Sequence, residues 1–291
     1  MSGGSKVYAL KGIAHDTKVP ALFVGCPKTQ AWWFQVARAI TVASQKGGVG
    51  KTTTVINLAA SLCLAGRKVL LLDLDPQANA TSGVGVEVPL SGSEEFPYLS
   101  ALLNGDALEP FICEAEFENL WVLPSSPEAS DLGIVRKLEA ADAGDLRGRI
   151  REAAEPFDYV ILDCPPSLSG LPTLALELSD GLIIPVQCEY YAMEGLSQIL
   201  PLVKKIQKST NPDLEIEGLL LTMFSQELDL SQDVLDQVAE FFEGGTFSSV
   251  IPRDVLLAEA TSHGCPAFQY DCESKGAWAY VELAREVMEN G

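Results

Sequence analysis

A single α/β domain on a doubly wound, mostly parallel sheet is the fold this sequence predicts, and three observations predict it. From Ala39 onward, short apolar and β-branched runs alternate with segments of helical period, the signature of βαβ units. The runs are nearly continuous in apolar residues, as strands covered on both faces are. The alternation continues to residue 291 without a Pro/Gly/Ser-rich linker, so residues 39–291 read as one domain and residues 1–38 as a short extension before it.

In order, strands are expected at Ala39–Ala43, Lys68–Leu72, Leu120–Leu123, Tyr159–Leu162, Leu182–Val186 and Gly218–Thr222. Helices are expected at Thr52–Ala65, Glu128–Ala140, Gly195–Lys208, Ser231–Phe242 and Gly276–Met288, where apolar residues recur with helical period and several segments close at Gly. No internal repeat or low-complexity tract interrupts them.

Charge and composition limit the functions available. With 40 Asp+Glu against 20 Lys+Arg, the formal charge is -20, and such a surface repels nucleic acid unless basic residues are gathered locally. The extension differs: Lys6, Lys11, Lys18, Lys28 and Arg38 face only Asp16, a balance of +4 that leaves -24 for residues 39–291. Its Trp32-Trp33-Phe34 cluster either packs on the domain, docks a partner, or belongs to an irregular lead-in. No apolar stretch approaches the roughly 20 residues that span a bilayer, and His15, Asp16 and Lys18 interrupt what an export signal needs before Phe23-Val24-Gly25-Cys26. The expectation is a cytoplasmic protein. Seven cysteines, with no Cys-x-x-Cys pair, suggest buried reduced thiols and neither a disulfide framework nor a zinc cage.

The chemistry is carried by Gln45-Lys46-Gly47-Gly48-Val49-Gly50-Lys51-Thr52-Thr53, between the first strand and an Ala- and Leu-rich helix. Glycines let successive backbone N–H groups converge on phosphates, and the helix N-terminus adds partial positive charge. Lys51 reaches the β- and γ-phosphate oxygens, and the Thr52 hydroxyl ligates magnesium. The second strand ends in Asp73-Leu74-Asp75-Pro76-Gln77-Ala78-Asn79-Ala80-Thr81, with Asp73 and Asp75 on one side of an extended segment beside that loop. A third strand ends in Asp163, as in a Walker B element, where the carboxylate holds magnesium through water. Cys164 beside it reads as a small buried residue, since no basic neighbour in sequence lowers its pKa.

The second lysine in the loop, Lys46, with Gln45 in place of the usual first Gly, resembles the deviant Walker A motif of the ParA/MinD family of P-loop ATPases. Residues 73–81 are similar to the second motif of its ParA/Soj branch. Four further stretches, 184–196, 250–253, 259–264 and 270–277, match that branch too, so the resemblance covers about 39–290. It implies ATP and magnesium as ligands, slow hydrolysis, a homodimer on ATP binding with Lys46 touching the partner subunit's phosphates, and a ParB-like stimulating protein. It also implies that Asp75 positions the attacking water, that Asp73 supports the magnesium shell, and that Gly47, Gly48, Val49, Gly50 and Thr53 line the phosphates. Pro252 and its neighbours would line the adenine pocket, with Asp254 standing where the family has Asn.

Two departures bear on DNA. The family binds DNA nonspecifically through late arginines, and this chain has Glu227 and Leu256 at those positions. Residues 211–291 hold Arg253, Lys275 and Arg285 against sixteen Asp/Glu. Lys204, Lys205, Lys208 and the extension are the basic clusters that remain for a nucleoid contact. The last helix, with Glu282, Glu286 and Glu289, lacks the basic face of a membrane anchor and is expected to pack on the core. Two readings follow: a partitioning ATPase working with a ParB-like protein, or a related ATPase positioning a non-chromosomal cargo with weak or no DNA binding.

Overall fold

The structure, a computed structural model, describes residues 36–87, 98–125, 130–167, 170–190, 192–242 and 244–290. Most of the extension, including Trp32-Trp33-Phe34 and Cys26, lies outside these residues, as does the start of the helix expected at 128–140. Strands run at β1 (Arg38–Val42), β2 (Val69–Asp73), β3 (Cys113–Glu114), β4 (Leu120–Leu123), β5 (Tyr159–Asp163), β6 (Gly181–Gln187), β7 (Glu215–Phe224) and β8 (Thr246–Pro252). Helices are α1 (Lys51–Leu64), α2 (Asn79–Gly83), α3 (Tyr98–Asn104), α4 (Leu132–Ala140), α5 (Ala143–Ala153), α6 (Leu171–Leu178), α7 (Ala192–Gln207), α8 (Asp229–Phe241), α9 (Val255–Ser262), α10 (Ala267–Tyr270) and α11 (Lys275–Asn290).

Among the described residues the strands form one eight-stranded sheet in the order β3-β4-β2-β5-β1-β6-β7-β8. Every pairing is parallel except β3 against β4. Alternation along β2 sends Leu70 and Leu72 into one core with Leu138, Leu146, Leu174, Ile199 and Val203. Val69 and Leu71 enter the opposite core with Val55, Leu58, Tyr280, Leu283 and Val287. Burial on both faces is why these strands read as continuous apolar runs. The last helix packs as expected, burying Tyr280, Val281, Leu283, Ala284 and Val287.

Several elements depart from the sequence reading. The edge strand β8, TFSSVIP, carries small polar residues through its middle, so it lacks the apolar run that marks a buried strand. Helix α5 carries two glycines and few apolar residues and starts at Asp142, whose side chain caps it. Helix α6, LPTLALEL, is buried almost all round and shows no helical stripe.

The strand order positions the site. Chain progression reverses around β1, which lies between β5 and β6, and ligands in such sheets bind at the carboxyl ends of strands at this reversal. Register aligns Val42 with Asp163, and Asp163 with Asp73, so the loop after β1 opens beside both carboxylates.

Candidate nucleotide and magnesium site

The loop 45–50 leaves β1 and enters α1 through two glycines in the left-handed region, Gly48 at φ 74° and Gly50 at φ 89°. L-residues with a Cβ pay for that conformation, which is why glycine stands at both turns. Nothing lies within 4 Å of where a Cβ on Gly47 or Gly48 would sit, so the loop backbone faces open space. The N–H groups of Gly47 to Gly50 enter no backbone hydrogen bond among the described residues. Thr222 of β7 braces the loop from behind, its hydroxyl donating to the Val49 carbonyl at 2.9 Å.

Lys51 is buried, and its ammonium donates to the Lys46 carbonyl across the loop at 3.2 Å. Burial lowers its pKa, while the nearby Cys164, Asp163 and Asp75 oppose that shift. The Thr52 hydroxyl donates to Asp163 Oδ2 at 2.8 Å, and the Cys164 N–H donates to Oδ1 at 3.1 Å. Asp163 is fully buried, and burial, with Asp73 and Asp75 adding repulsion, pushes its carboxyl up to about 8 against the pull of Thr52 and Lys51. The Cys164 thiol is buried and raised by burial, which fits an inert thiol.

Asp73 uses its carboxylate on its own loop. Oδ2 accepts from the Thr81 N–H at 2.9 Å and the Thr81 hydroxyl at 2.7 Å, and Oδ1 accepts from the Asp75 N–H at 3.0 Å. Burial still raises it to about 6. Asp75 is buried, and Oδ1 accepts from the Gln77 N–H at 3.0 Å.

The structure brings together Lys51, Thr52, Asp73, Asp75 and Asp163. Lys46 and Asp254 are each engaged by other groups of the chain. The Lys46 ammonium turns aside to Glu189 Oε2 at 3.5 Å, and the same carboxylate meets the Arg253 guanidinium at 3.8 Å. That contact ties the end of β8, with Pro252, to the flank of the loop. Asp254, expected against adenine, is a structural cap here: Oδ1 accepts from the Leu256 N–H at 3.0 Å, and Oδ2 from the Ser274 hydroxyl at 2.8 Å and the Gly276 N–H at 2.9 Å. The sequence reading gave Glu189 and Thr81 no role of their own and passed over Ser125; Thr81 meets Asp73 within one loop, whereas Glu189 and Ser125 reach the site only through long-range folding.

The donor set fits magnesium, a hard cation that keeps several waters and takes one or two protein oxygens beside phosphate. Thr52 and Asp163 supply a hydroxyl and a carboxylate side by side, and no group of three or more His, Cys, Asp or Glu among the described residues forms a cage of its own.

Comparisons with known proteins agree with this geometry. A family model described as an AAA domain matches residues 37–216. The chain is 42% identical over 257 residues to the chromosome partitioning protein ParA of Myxococcus xanthus, covering 88% of this chain and 89% of that protein. It is 43% identical over 256 residues to the sporulation initiation inhibitor protein Soj of Bacillus subtilis, covering 88% of this chain and all of that protein. This chain belongs to the ParA/MinD family of P-loop ATPases. Among solved structures of that class, the cell division ATPase MinD of Pyrococcus furiosus superposes with a TM-score of 0.70 at 32% identity, over 88% of this chain and 100% of that one. A Mycobacterium smegmatis protein described as cobyrinic acid a,c-diamide synthase, with bound ATP analogue and magnesium, superposes with a TM-score of 0.71 at 34% identity, over 86% and 93%. Among the described residues of this ParA/MinD member, no helix is long and apolar enough to cross a membrane.

Proposed function

We propose that this protein is a cytoplasmic, ATP-driven dimerisation switch that binds ATP with magnesium, hydrolyses it slowly, and serves chromosome or plasmid partitioning with a ParB-like partner. The observation that carries the reading is the open loop of unpaired N–H groups at Gly47 to Gly50, flanked by Lys51, the Thr52–Asp163 pair and Asp75. Val49, Thr52 and Thr53 complete the phosphate cradle, Lys51 neutralises the β- and γ-oxygens, and Lys46 leaves Glu189 to meet the phosphates of the partner copy. Thr52 and, through water, Asp163 would hold magnesium, which would supply charge neutralisation at the phosphates when bound. Asp75 orients the attacking water, so catalysis is positioning and charge stabilisation. Asp73 acts on this centre by shaping the Asp75 loop, and Pro252 borders the adenine. An acidic ATPase suits a basic stimulating partner.

A second reading, a positioning ATPase for a non-chromosomal cargo, is favoured by one observation. Glu227 is exposed at the end of β7, and α8 immediately after it presents the exposed acids Asp229, Asp233, Asp236 and Glu240. That surface repels phosphate.

Steady-state hydrolysis of ATP-Mg by Lys51→Ala and Asp75→Ala variants tests the assignment. Lys51→Ala is expected to lose ATP binding or turnover, and Asp75→Ala to keep ATP binding and lose turnover. Undiminished turnover in either variant would sink it.

A further inference from the structure

The groups that hold Asp75 in place come from outside the phosphate loop and from a strand on the far side of β2. Ser125 follows β4, which pairs with β2. Its hydroxyl donates to the Asp75 carbonyl at 2.6 Å, and its N–H donates to the Thr81 hydroxyl oxygen at 3.0 Å. That hydroxyl in turn donates to Asp73 Oδ2, so one donor and one acceptor of Thr81 are both used. The Asp75 carbonyl accepts a second bond from the Ala78 N–H at 2.9 Å, and Ala78 itself is held at φ 53°, in the left-handed region that costs a residue with a Cβ. The Tyr98 hydroxyl donates to the Asp73 carbonyl at 2.9 Å. Thr81, Ser125, Asp73 and Tyr98 are all buried at 3% exposure or less, so these bonds are shielded from water.

Each of these bonds ends on a backbone carbonyl, the Asp73 carboxylate or the Thr81 hydroxyl within 73–81, and together they fix the Asp75 main chain. Among the described residues the Asp75 carboxylate accepts one bond only, from the Gln77 N–H. A pinned backbone carrying an otherwise uncommitted carboxylate is the arrangement that aims a group at a reactant. We propose that Ser125 and Thr81 are positioning residues that set the Asp75 carboxylate for hydrolysis, an inference that rests on the assignment of Asp75 above. Both side chains are buried, with their hydroxyls spent on this loop. Their loss leaves ATP binding intact and displaces the carboxylate, and a displacement of about 1 Å costs on the order of a hundredfold in rate.

The test measures kcat and KM for ATP-Mg, and affinity for a fluorescent ATP analogue, on the full chain carrying Ser125→Ala, Thr81→Val, Thr81→Ser or Asp75→Ala. Ser125→Ala and Thr81→Val are expected to lower kcat by about ten- to hundredfold with KM and analogue affinity within about twofold, and Thr81→Ser, which keeps the hydroxyl, to restore most of the rate. Added to Asp75→Ala, Ser125→Ala is expected to cause no further loss, because both act through one group. Wild-type kcat in both Ser125→Ala and Thr81→Val, with Asp75→Ala impaired, overturns the brace and spares the Asp75 assignment. Full turnover in Asp75→Ala overturns both. A multiplicative loss in the double variant, or equal losses in Thr81→Ser and Thr81→Val that follow their melting temperatures, makes the role structural and overturns the proposal. If Ser125→Ala does not fold, the Thr81 pair decides alone.

Discussion

Placing arginine at positions 227 and 256 should convert this chain into a tighter DNA binder. Glu227 follows β7, and Leu256 lies in α9 just after β8; Phe224 and Pro252 are in register at the ends of these neighbouring strands, and the Arg253 N–H donates to the Phe224 carbonyl at 2.8 Å. Both positions therefore sit on one edge of the sheet. Glu227 is exposed and Leu256 half-buried, so arginines there reach solvent. Glu227→Arg adds two positive charges and Leu256→Arg one, moving the chain from -20 to -17. Two new phosphate contacts steepen the dependence of log K on log salt by about 1.8, so the gain is about twelvefold larger at ~50 mM salt than at ~200 mM. Anisotropy of a labelled random duplex with ATP-Mg, in the Asp75→Ala background and across that salt range, reads the slope directly. An unchanged slope in the double variant would refute the claim that this edge is the DNA-facing one.

Two further predictions concern the frame around the site. The Asp254 carboxyl, though partial burial pushes it up, is held below the usual carboxylate range by the Gly276 N–H, Ser274 hydroxyl, Leu256 N–H and Lys275 charge. Its stabilisation is thus fully present above the unfolded value near 4 and lost as pH falls through the lower folded value. Asp254→Asn should cost about 1 kcal/mol at neutral pH, measured by urea unfolding, with the difference from wild type shrinking towards pH 3; a constant difference would show that charge is not the cause. At the amino end of the interior strand β6, a Cβ on Gly181 would lie 2.7 Å from Glu217 Cδ and press on the carboxylate that pairs with Arg38 at 2.7 Å. Gly181→Ala should therefore cost about 1–3 kcal/mol, read as a fall in melting temperature of a few degrees, and an unchanged melting temperature would mean that the flexible end of Glu217 yields without penalty.

What was legible in the sequence follows the range of the interactions that decide it. The strands β1, β2, β4 and β5 lie within one residue of their expected bounds, because each is a run buried on both faces whose signal is local. The loop at 45–50 was equally legible, since its glycine turns and the start of α1 are set by residues adjacent in the chain. Elements without a local signal escaped: β8 is an edge strand with small polar residues through its middle, and α6 is buried on all sides. Site contacts between distant residues escaped for the same reason. Ser125 reaches Asp75 across 50 positions and Glu189 reaches Lys46 across 143, and only the strand order β4-β2-β5-β1-β6 brings them together. The capping role of Asp254 escaped likewise, because the residues that claim it, Ser274 and Gly276, lie 20 and 22 positions further along the chain.

The central claim is that ATP drives two copies together, and the mass of the Asp75→Ala variant in solution tests it most directly. Sedimentation with ATP-Mg and with ADP-Mg, on protein shown to bind both, should give twice the 31.2 kDa chain mass with ATP and the single-chain mass with ADP. A single-chain mass with both nucleotides would contradict the account.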